Sequence, residues 1–240
     1  MIKGGEIMDK ELNILYEMES EHLGIFVDTM LKKGKLTEML TVSKEYKMYG
    51  KQYEKFISTI EKEFLDFGSH TFWTNKTYKE IVCDVAKKLN VNFNKEQKTS
   101  LIEERILEKV LIDTWDKMSE AEKQELANIA KDKYGNIDIK AEGTATLLAA
   151  FRAGGFYSYQ LTLIIINTIS KMVLGRGLSL ATNAGIARAL GILSGPLGMT
   201  LTALWTIIDL AGPAYRVTIP CVILIAGFRK EYELRKALEK

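Results

Sequence analysis

The sequence predicts an all-α protein: a multi-helix bundle with a charged N-terminal and central part and a glycine-rich, apolar C-terminal part. Three observations lead to this prediction. Apolar residues recur at positions i, i+3 and i+4 along most of the chain, which is the spacing of an amphipathic helix. No apolar–polar alternation bounded by hairpin-turn residues is present. Capping residues and glycines separate the periodic segments, as expected at helix ends.

The first 140 residues predict two regions of charged helices. Residues 1–50 are expected to form a small helical N-terminal region with apolar stripes over residues 12–18 and 23–31. Residues 51–140 are expected to form a central helical domain, with helices over residues 53–64 and 77–89 separated by a turn at residues 67–69. Asn94 and Gln97 resemble a capping box that opens a long helix. Ser119 and Glu122 form a stricter one, whose helix is expected to reach Tyr134.

The composition changes in residues 141–240, the third predicted region. Residues 1–140 hold 23 Lys and Arg against 26 Asp and Glu, whereas residues 141–240 hold 10 against 5. Asp209 is the only acidic residue between Gly143 and Phe228. We expect helices over residues 144–152, 156–174, 178–193, 197–210 and from 217 onward, separated by glycine-containing breaks. The last helix is expected to end in an exposed charged tail, residues 229–240.

The stretch from Ala189 to Ile208 contains no charge over twenty residues, the length that crosses a bilayer. Its centre, Ser194-Gly195-Pro196, argues against a span, because lipid cannot replace the backbone donor that proline lacks. We therefore predict a tight helical hairpin over residues 178–210, in which Gly191 and Gly195 allow close packing. Burial of this hairpin in the protein is the favoured interpretation, and reversible membrane contact is the alternative.

Several chemistries have no motif in the sequence. The glycine clusters lack both a dinucleotide fingerprint and a P-loop, and no G-x-S-x-G is present, so no cofactor is predicted. The two histidines, His22 and His70, have no metal-ligand spacing and are predicted to be surface residues. Cys83 and Cys221 lie far apart among apolar neighbours, which is typical of buried thiols in a reducing compartment. With a net charge of +2 and no signal peptide, we predict a cytoplasmic protein without a nucleic-acid partner.

The candidate site residues follow from charge in apolar surroundings. Asp209 is a lone carboxylate whose burial requires a partner, and we predict a structural ion pair with Arg216 or Arg188. A functional role for Asp209 is the alternative, because perturbed acids cluster at active sites. The acidic residues within 102–105 and 120–125 have the spacing of solvated helix faces. No catalytic or metal-binding residue is predicted.

The segment Ala214-Tyr215-Arg216-Val217-Thr218-Ile219-Pro220 resembles a C-terminal signature of the YaaW-like family of bacterial proteins. Residues 67–68, 84–89 and 114–118 are similar to the central region of that family. This region has in turn been grouped with the ubiquinol–cytochrome c chaperone superfamily, whose eukaryotic members assist the assembly of a respiratory membrane complex. The resemblance implies an all-helical fold and a chaperone-like or assembly role. It singles out Tyr215, Arg216 and Pro220 but implies no catalytic residue.

The sequence therefore predicts a non-enzymatic binding or assembly factor that acts on a protein partner, at the inner face of the membrane or in the cytoplasm. The alternative is a peripheral membrane protein whose glycine-rich hairpin inserts into an anionic membrane surface. An enzyme with a carboxylate-based site is the third and least favoured interpretation.

Overall fold

The computed structural model describes residues 9–33, 38–69, 76–126, 143–178, 184–211 and 213–238. Across these ranges every regular element is a helix, so the all-α prediction is confirmed. In addition to the labelled helices, residues 120–126 are helical, and 3₁₀ turns lie at Lys10–Leu12 and Tyr53–Lys55. In chain order the helices are α1 (Ile14–Glu17), α2 (Ser20–Lys33), α3 (Glu38–Val42), α4 (Lys44–Tyr49), α5 (Ile57–Gly68), α6 (Tyr78–Lys88), α7 (Thr99–Trp115), α8 (Thr144–Arg152), α9 (Gly155–Leu174), α10 (Ala184–Ala211) and α11 (Pro213–Leu238).

Local capping explains where several helices begin. Thr77 and Glu80 form a reciprocal capping box at the start of α6, inside the predicted helix over residues 77–89. The predicted box at Ser119 and Glu122 is confirmed by hydrogen bonds of 2.8 and 3.3 Å in the two directions. The box at Asn94 is wrong as a helix start, because its bond to Gln97 closes a turn and α7 begins only at Thr99.

The predicted turn at residues 67–69 is also wrong, because α5 continues to Gly68. A Cβ atom at Gly68 would lie 2.1 Å from Cδ1 of Ile81, so the missing side chain leaves room for α6 to pack closely. Ser69 then caps α5, and its hydroxyl donates to the carbonyl of Leu65.

Helix α11 lies at the centre of the fold. Every residue from Val217 to Phe228 is buried, and the helix packs against α1, α2, α5, α6, α7, α9 and α10. The predicted exposed tail is wrong in its first part. Glu231 and Leu234 are buried, because the end of α11 lies between the N-terminal helices and α7 rather than in solvent. The chain division at residues 50 and 140 stays a prediction, and α11 contacts helices from all three regions.

Helix α9 is the buried apolar helix that the sequence predicts. Its residues from Gln160 to Ser170 are all buried, and Gly175 ends it in the left-handed conformation with φ 75°. The main partner of α9 is α11, which approaches closely at Gly227. A Cβ atom there would lie 2.7 Å from Cγ1 of Ile166. The missing side chain of Gly227 thus sets the distance between the two central helices.

The predicted hairpin over residues 178–210 is wrong. Residues 184–211 form one continuous helix, α10, with Pro196 in its interior. Proline removes one helical hydrogen bond, but the helix continues because both halves bury side chains against the same neighbours. Ile192 and Leu193 precede Pro196 and Leu197 and Leu201 follow it, all buried, and α10 packs against α7, α9 and α11.

Candidate functional site

The polar groups with the deepest burial form a network around Glu103 of α7, which is 2% exposed. The hydroxyl of Tyr78 donates to Oε1 of Glu103 at 2.5 Å, and Nε of Arg229 donates to Oε2 at 2.7 Å. Burial raises the pKa of the Glu103 carboxyl, while the Arg229 guanidinium and the Tyr78 hydroxyl oppose that effect. Both carboxylate oxygens are therefore occupied, and the pair joins α6, α7 and α11.

The N-terminal residues extend this network. Arg229 also donates to the backbone carbonyl of Glu11 at 2.5 Å. The Asp9 side chain accepts the backbone N–H of Tyr78 at 2.6 Å, at the start of α6, where an acceptor satisfies an otherwise unbonded donor. The fully buried carboxylate of Glu61 accepts the backbone N–H of Asp9 and the hydroxyl of Tyr16. Residues 9–16 are thereby fixed to α5, α6 and α11.

Two further ion pairs flank the network. Arg152 of α8 binds Glu108 of α7 through two hydrogen bonds of 2.5 and 2.8 Å, and Lys230 binds Glu104 at 2.5 Å. A surface pocket of about 120 Å³ lies between α7 and α11, where Glu103 and Glu104 face Arg229 and Lys230. The pocket is small and its charges are mutually compensated, which makes it a seam between helices and not a ligand cavity.

These contacts correct the prediction for the acidic residues of α7. We expected the carboxylates within 102–105 to lie on a solvated face, but Glu103 is buried, as is Glu108 in the next turn. Helical spacing alone does not reveal this, because their cations come from α8 and α11, 44 and 126 residues away. The available signal was Arg229-Lys230, which follows directly after the apolar run of α11.

His22 also departs from the prediction of a surface residue. It is 8% exposed, and its ring stacks on Phe228 with the centroids 4.5 Å apart. Its Nδ1 lies 4.0 Å from Oε2 of the buried Glu231. Burial lowers the pKa of His22, and the nearby Glu19 offsets only part of that effect. The second histidine, His70, lies outside the described residues.

The structure brings the predicted site residues together only in part. The side chains of Asp209 and Arg188 lie outside the described part of the structure, so their predicted ion pair stays a prediction. Tyr215 and Arg216 are half-buried in the first turn of α11, and the ammonium of Lys88 lies 5.7 Å from the centre of the Tyr215 ring. Pro220 is buried inside α11.

Neither cysteine is placed for chemistry. Cys83 and Cys221 are buried free thiols, and burial raises the pKa of Cys221. Among the described residues, no group of three or more His, Cys, Asp or Glu side chains is arranged to hold a metal ion. None of the helices within the described ranges is both long and apolar enough to cross a membrane.

The most distinctive accessible surface is one face of α10, which we call the neutral face. Its members are uncharged and exposed or half-exposed, at helical spacing: Gly191, Ser194, Gly195, Gly198, Met199 and Thr202. Met199 is 52% exposed. A Cβ atom added at Gly191, Gly195 or Gly198 would have no described atom within 4 Å, so packing inside the described chain does not require glycine there.

The fold and these surfaces define an all-α bundle protein whose buried charges serve as helix fasteners and whose distinctive accessible surface is an uncharged helix face. The chain belongs to the ubiquinol-cytochrome C chaperone family, whose model matches residues 58–224.

Similarity to individual relatives extends over most of the chain. It is 41% identical over 231 residues to a UPF0174 protein of Helicobacter pylori strain J99, covering 92% of this chain and 91% of that protein. It is 38% identical to a UPF0174 protein of H. pylori strain 26695, covering 81% and 97%. The UPF0174 protein YaaW of Escherichia coli K12 is 30% identical over 244 residues, covering 92% and 94%. The predicted resemblance is confirmed. No solved structure matches the chain significantly.

Proposed function

We propose that this protein is a chaperone- or assembly-type factor that binds an uncharged helical segment of a partner protein through the neutral face of α10. The family match supports the general role. The observation that carries the specific proposal is the set of three glycines, Gly191, Gly195 and Gly198, on an exposed helix face.

Glycine inside a helix is destabilising by about 1 kcal/mol relative to alanine. At Gly68 and Gly227 the cost has a reason within the chain, because a side chain there would collide with Ile81 or Ile166. At the three glycines of the neutral face no such collision occurs. A surface that must be approached closely from outside gives those glycines a reason, since small residues let two helix backbones come together.

The composition of the face indicates the partner. None of its members is charged, so it offers no anchor for an acidic or basic peptide and suits an uncharged helix. Thr202 donates its hydroxyl to the carbonyl of Gly198 at 2.8 Å, which leaves its methyl group as a contact surface. Met199 adds a flexible apolar side chain that adapts to different partners.

Insertion into a membrane surface is the second candidate, since the same face lacks charge. Interfacial helices bind lipid through large apolar side chains such as Trp, Phe and Leu. The neutral face presents mainly Gly, Ser and Thr, which bury little apolar area in lipid but permit close helix packing. These observations favour a protein partner, encountered in the cytoplasm or at the inner face of the membrane.

The proposal can be tested by placing a photo-crosslinking amino acid at Met199 and, as a matched control, at Met48 of α4, which is 65% exposed. We expect a discrete protein adduct from position 199 and none from position 48. Gly195→Leu should abolish the adduct without unfolding the chain, because no described atom lies within 4 Å of the added Cβ. Adducts to lipid alone would favour the membrane candidate, and identical adducts from both positions would refute a specific surface.

A further inference from the structure

His22 and Glu231 are two titratable side chains that share a buried space between α2 and α11. His22 lies in the first turn of α2, which begins at Ser20, and Glu231 lies near the end of α11. Glu231 is 3% exposed. Its Oε2 lies 4.0 Å from Nδ1 of His22, and its Oε1 lies 3.9 Å from Nε of Arg235. Both distances are longer than a hydrogen bond, so the two contacts are electrostatic only.

Charged and titratable groups face this pair from every element packed around it. Arg235 of α11 is shared, because it also binds the carboxylate of Glu19. The hydroxyl of Tyr232 donates to Glu17 of α1 at 2.8 Å. The complete set is Glu17, Glu19 and Glu21 from the N-terminal helices, Tyr159 from α9, and Tyr232 and Arg235 from α11. Carboxylates thus outnumber the single cation of the cluster.

The surroundings place one missing proton at the pair at neutral pH. Burial lowers the pKa of His22, and the start of a helix also disfavours a cation. Burial raises the pKa of Glu231, only partly offset by Arg235. At pH 7 the pair therefore holds a neutral imidazole beside a buried carboxylate. One added proton either neutralises Glu231 or converts the contact into a His⁺–carboxylate ion pair. A second proton places a cation close to Arg235.

We propose that His22 and Glu231 form a proton-coupled pair whose protonation state sets how tightly the start of α2 is held against α11. The first proton strengthens this junction as the pH falls below neutral, and the second weakens it at lower pH. The junction joins the N-terminal helices to the central helix, so the pair makes the attachment of the N-terminal part sensitive to pH. This inference does not depend on the neutral face of α10.

The test is an NMR titration of the His22 imidazole in the full chain. Because the chain has only two histidines, His70→Gln leaves His22 as the single imidazole signal. We expect Glu231→Gln to lower the pKa of His22 by about one unit, a tenfold loss of proton affinity. Glu233→Gln, an exposed carboxylate on the same helix, is the matched control and should leave the titration unchanged. Equal His22 titrations in the unaltered chain and in Glu231→Gln overturn the proposal.

A second measurement uses the unaltered chain and does not depend on how the variants fold. The ¹³C signal of the Glu231 carboxyl should shift at the same pH at which the His22 signal shifts, because the two groups exchange one proton. Urea unfolding should in parallel show a stability maximum below pH 7 that is absent in the His22→Gln, Glu231→Gln double variant. Independent single-step titrations of the two groups, or the same pH profile in the double variant, contradict a proton-coupled pair.

Discussion

The contact between the two central helices, α9 and α11, makes a quantitative prediction at Gly227. In Gly227→Ala the new Cβ would lie 2.7 Å from Cγ1 and 3.0 Å from Cδ1 of the fully buried Ile166. These separations are far below the 3.5–4.0 Å at which carbon atoms pack favourably. Alanine gains about 1 kcal/mol of helix propensity over glycine, whereas overpacking a core costs about 1–3 kcal/mol. We expect a net loss of about 1–2 kcal/mol in the free energy of unfolding.

The matched control is Gly195→Ala on the neutral face of α10, where the same substitution meets no described atom within 4 Å. This variant should gain about 0.5–1 kcal/mol, since only the helix propensity changes. Urea unfolding followed by circular dichroism measures both variants. In thermal unfolding, 1 kcal/mol corresponds to about 2–4 °C for a chain of this size.

Either half of the comparison can refute the reasoning. A Gly227→Ala variant as stable as the unaltered chain would show that α9 and α11 are not in close contact at this point. A destabilised Gly195→Ala variant would show that the neutral face packs within the chain and does not serve as a docking surface. Ile166→Val, which removes Cδ1, should recover part of the loss when it is combined with Gly227→Ala. Strict additivity of the two substitutions would contradict a direct clash.

Three further predictions concern the charged and capping groups. Arg229→Met leaves the carboxylate of Glu103 buried beside the Tyr78 hydroxyl alone and should cost about 3–5 kcal/mol in urea unfolding; a loss below 1 kcal/mol would mean that the pair is solvated. Burial raises the pKa of Glu231 above its ordinary 4.5, so between these values the native state binds a proton that the unfolded state does not, and native stability rises as the pH falls. Glu231→Gln should therefore be more stable than the unaltered chain at pH 7 and lose that advantage on acidification, which unfolding curves at several pH values can check. Thr77→Ala removes the cap of α6 and should cost about 1 kcal/mol, whereas an unchanged midpoint would show that Glu80 alone suffices.

The helices that the sequence predicts well are those whose signal is local. Apolar periodicity located α6 and α9 to within one or two residues, and the Ser119 capping box was correct because its two partners are three residues apart. The hairpin failed because proline and glycine predict a break from local propensity, and the sequence does not show the neighbours that hold both halves of α10. Tertiary packing overrides local propensity there.

The buried polar groups were predicted less well, for a related reason. The spacing of Glu103 beside Arg105 has the pattern of a solvated helix face, and nothing within the same helix shows that Arg229 reaches it. His22 fits a surface position until α11 places Phe228 against its ring. The glycines of α10 were identified from sequence as close-packing residues. Their position on an exposed face, however, requires knowledge of which side of the helix its neighbours cover.

The cost of the neutral face bears on how the fold is held together. Three helix-interior glycines without an internal packing role are destabilising by about 2–3 kcal/mol in sum, against a total stability of about 5–15 kcal/mol for a protein domain. A chain can maintain such a face only if its remaining elements are firmly attached. The charged fasteners are concentrated on α7 and at the end of α11, where Glu103, Glu108 and Arg229 join helices distant in sequence. The neutral face carries none. This separation is what an assembly factor requires, because the surface that binds a partner can then stay uncharged and accessible while other helices maintain the fold.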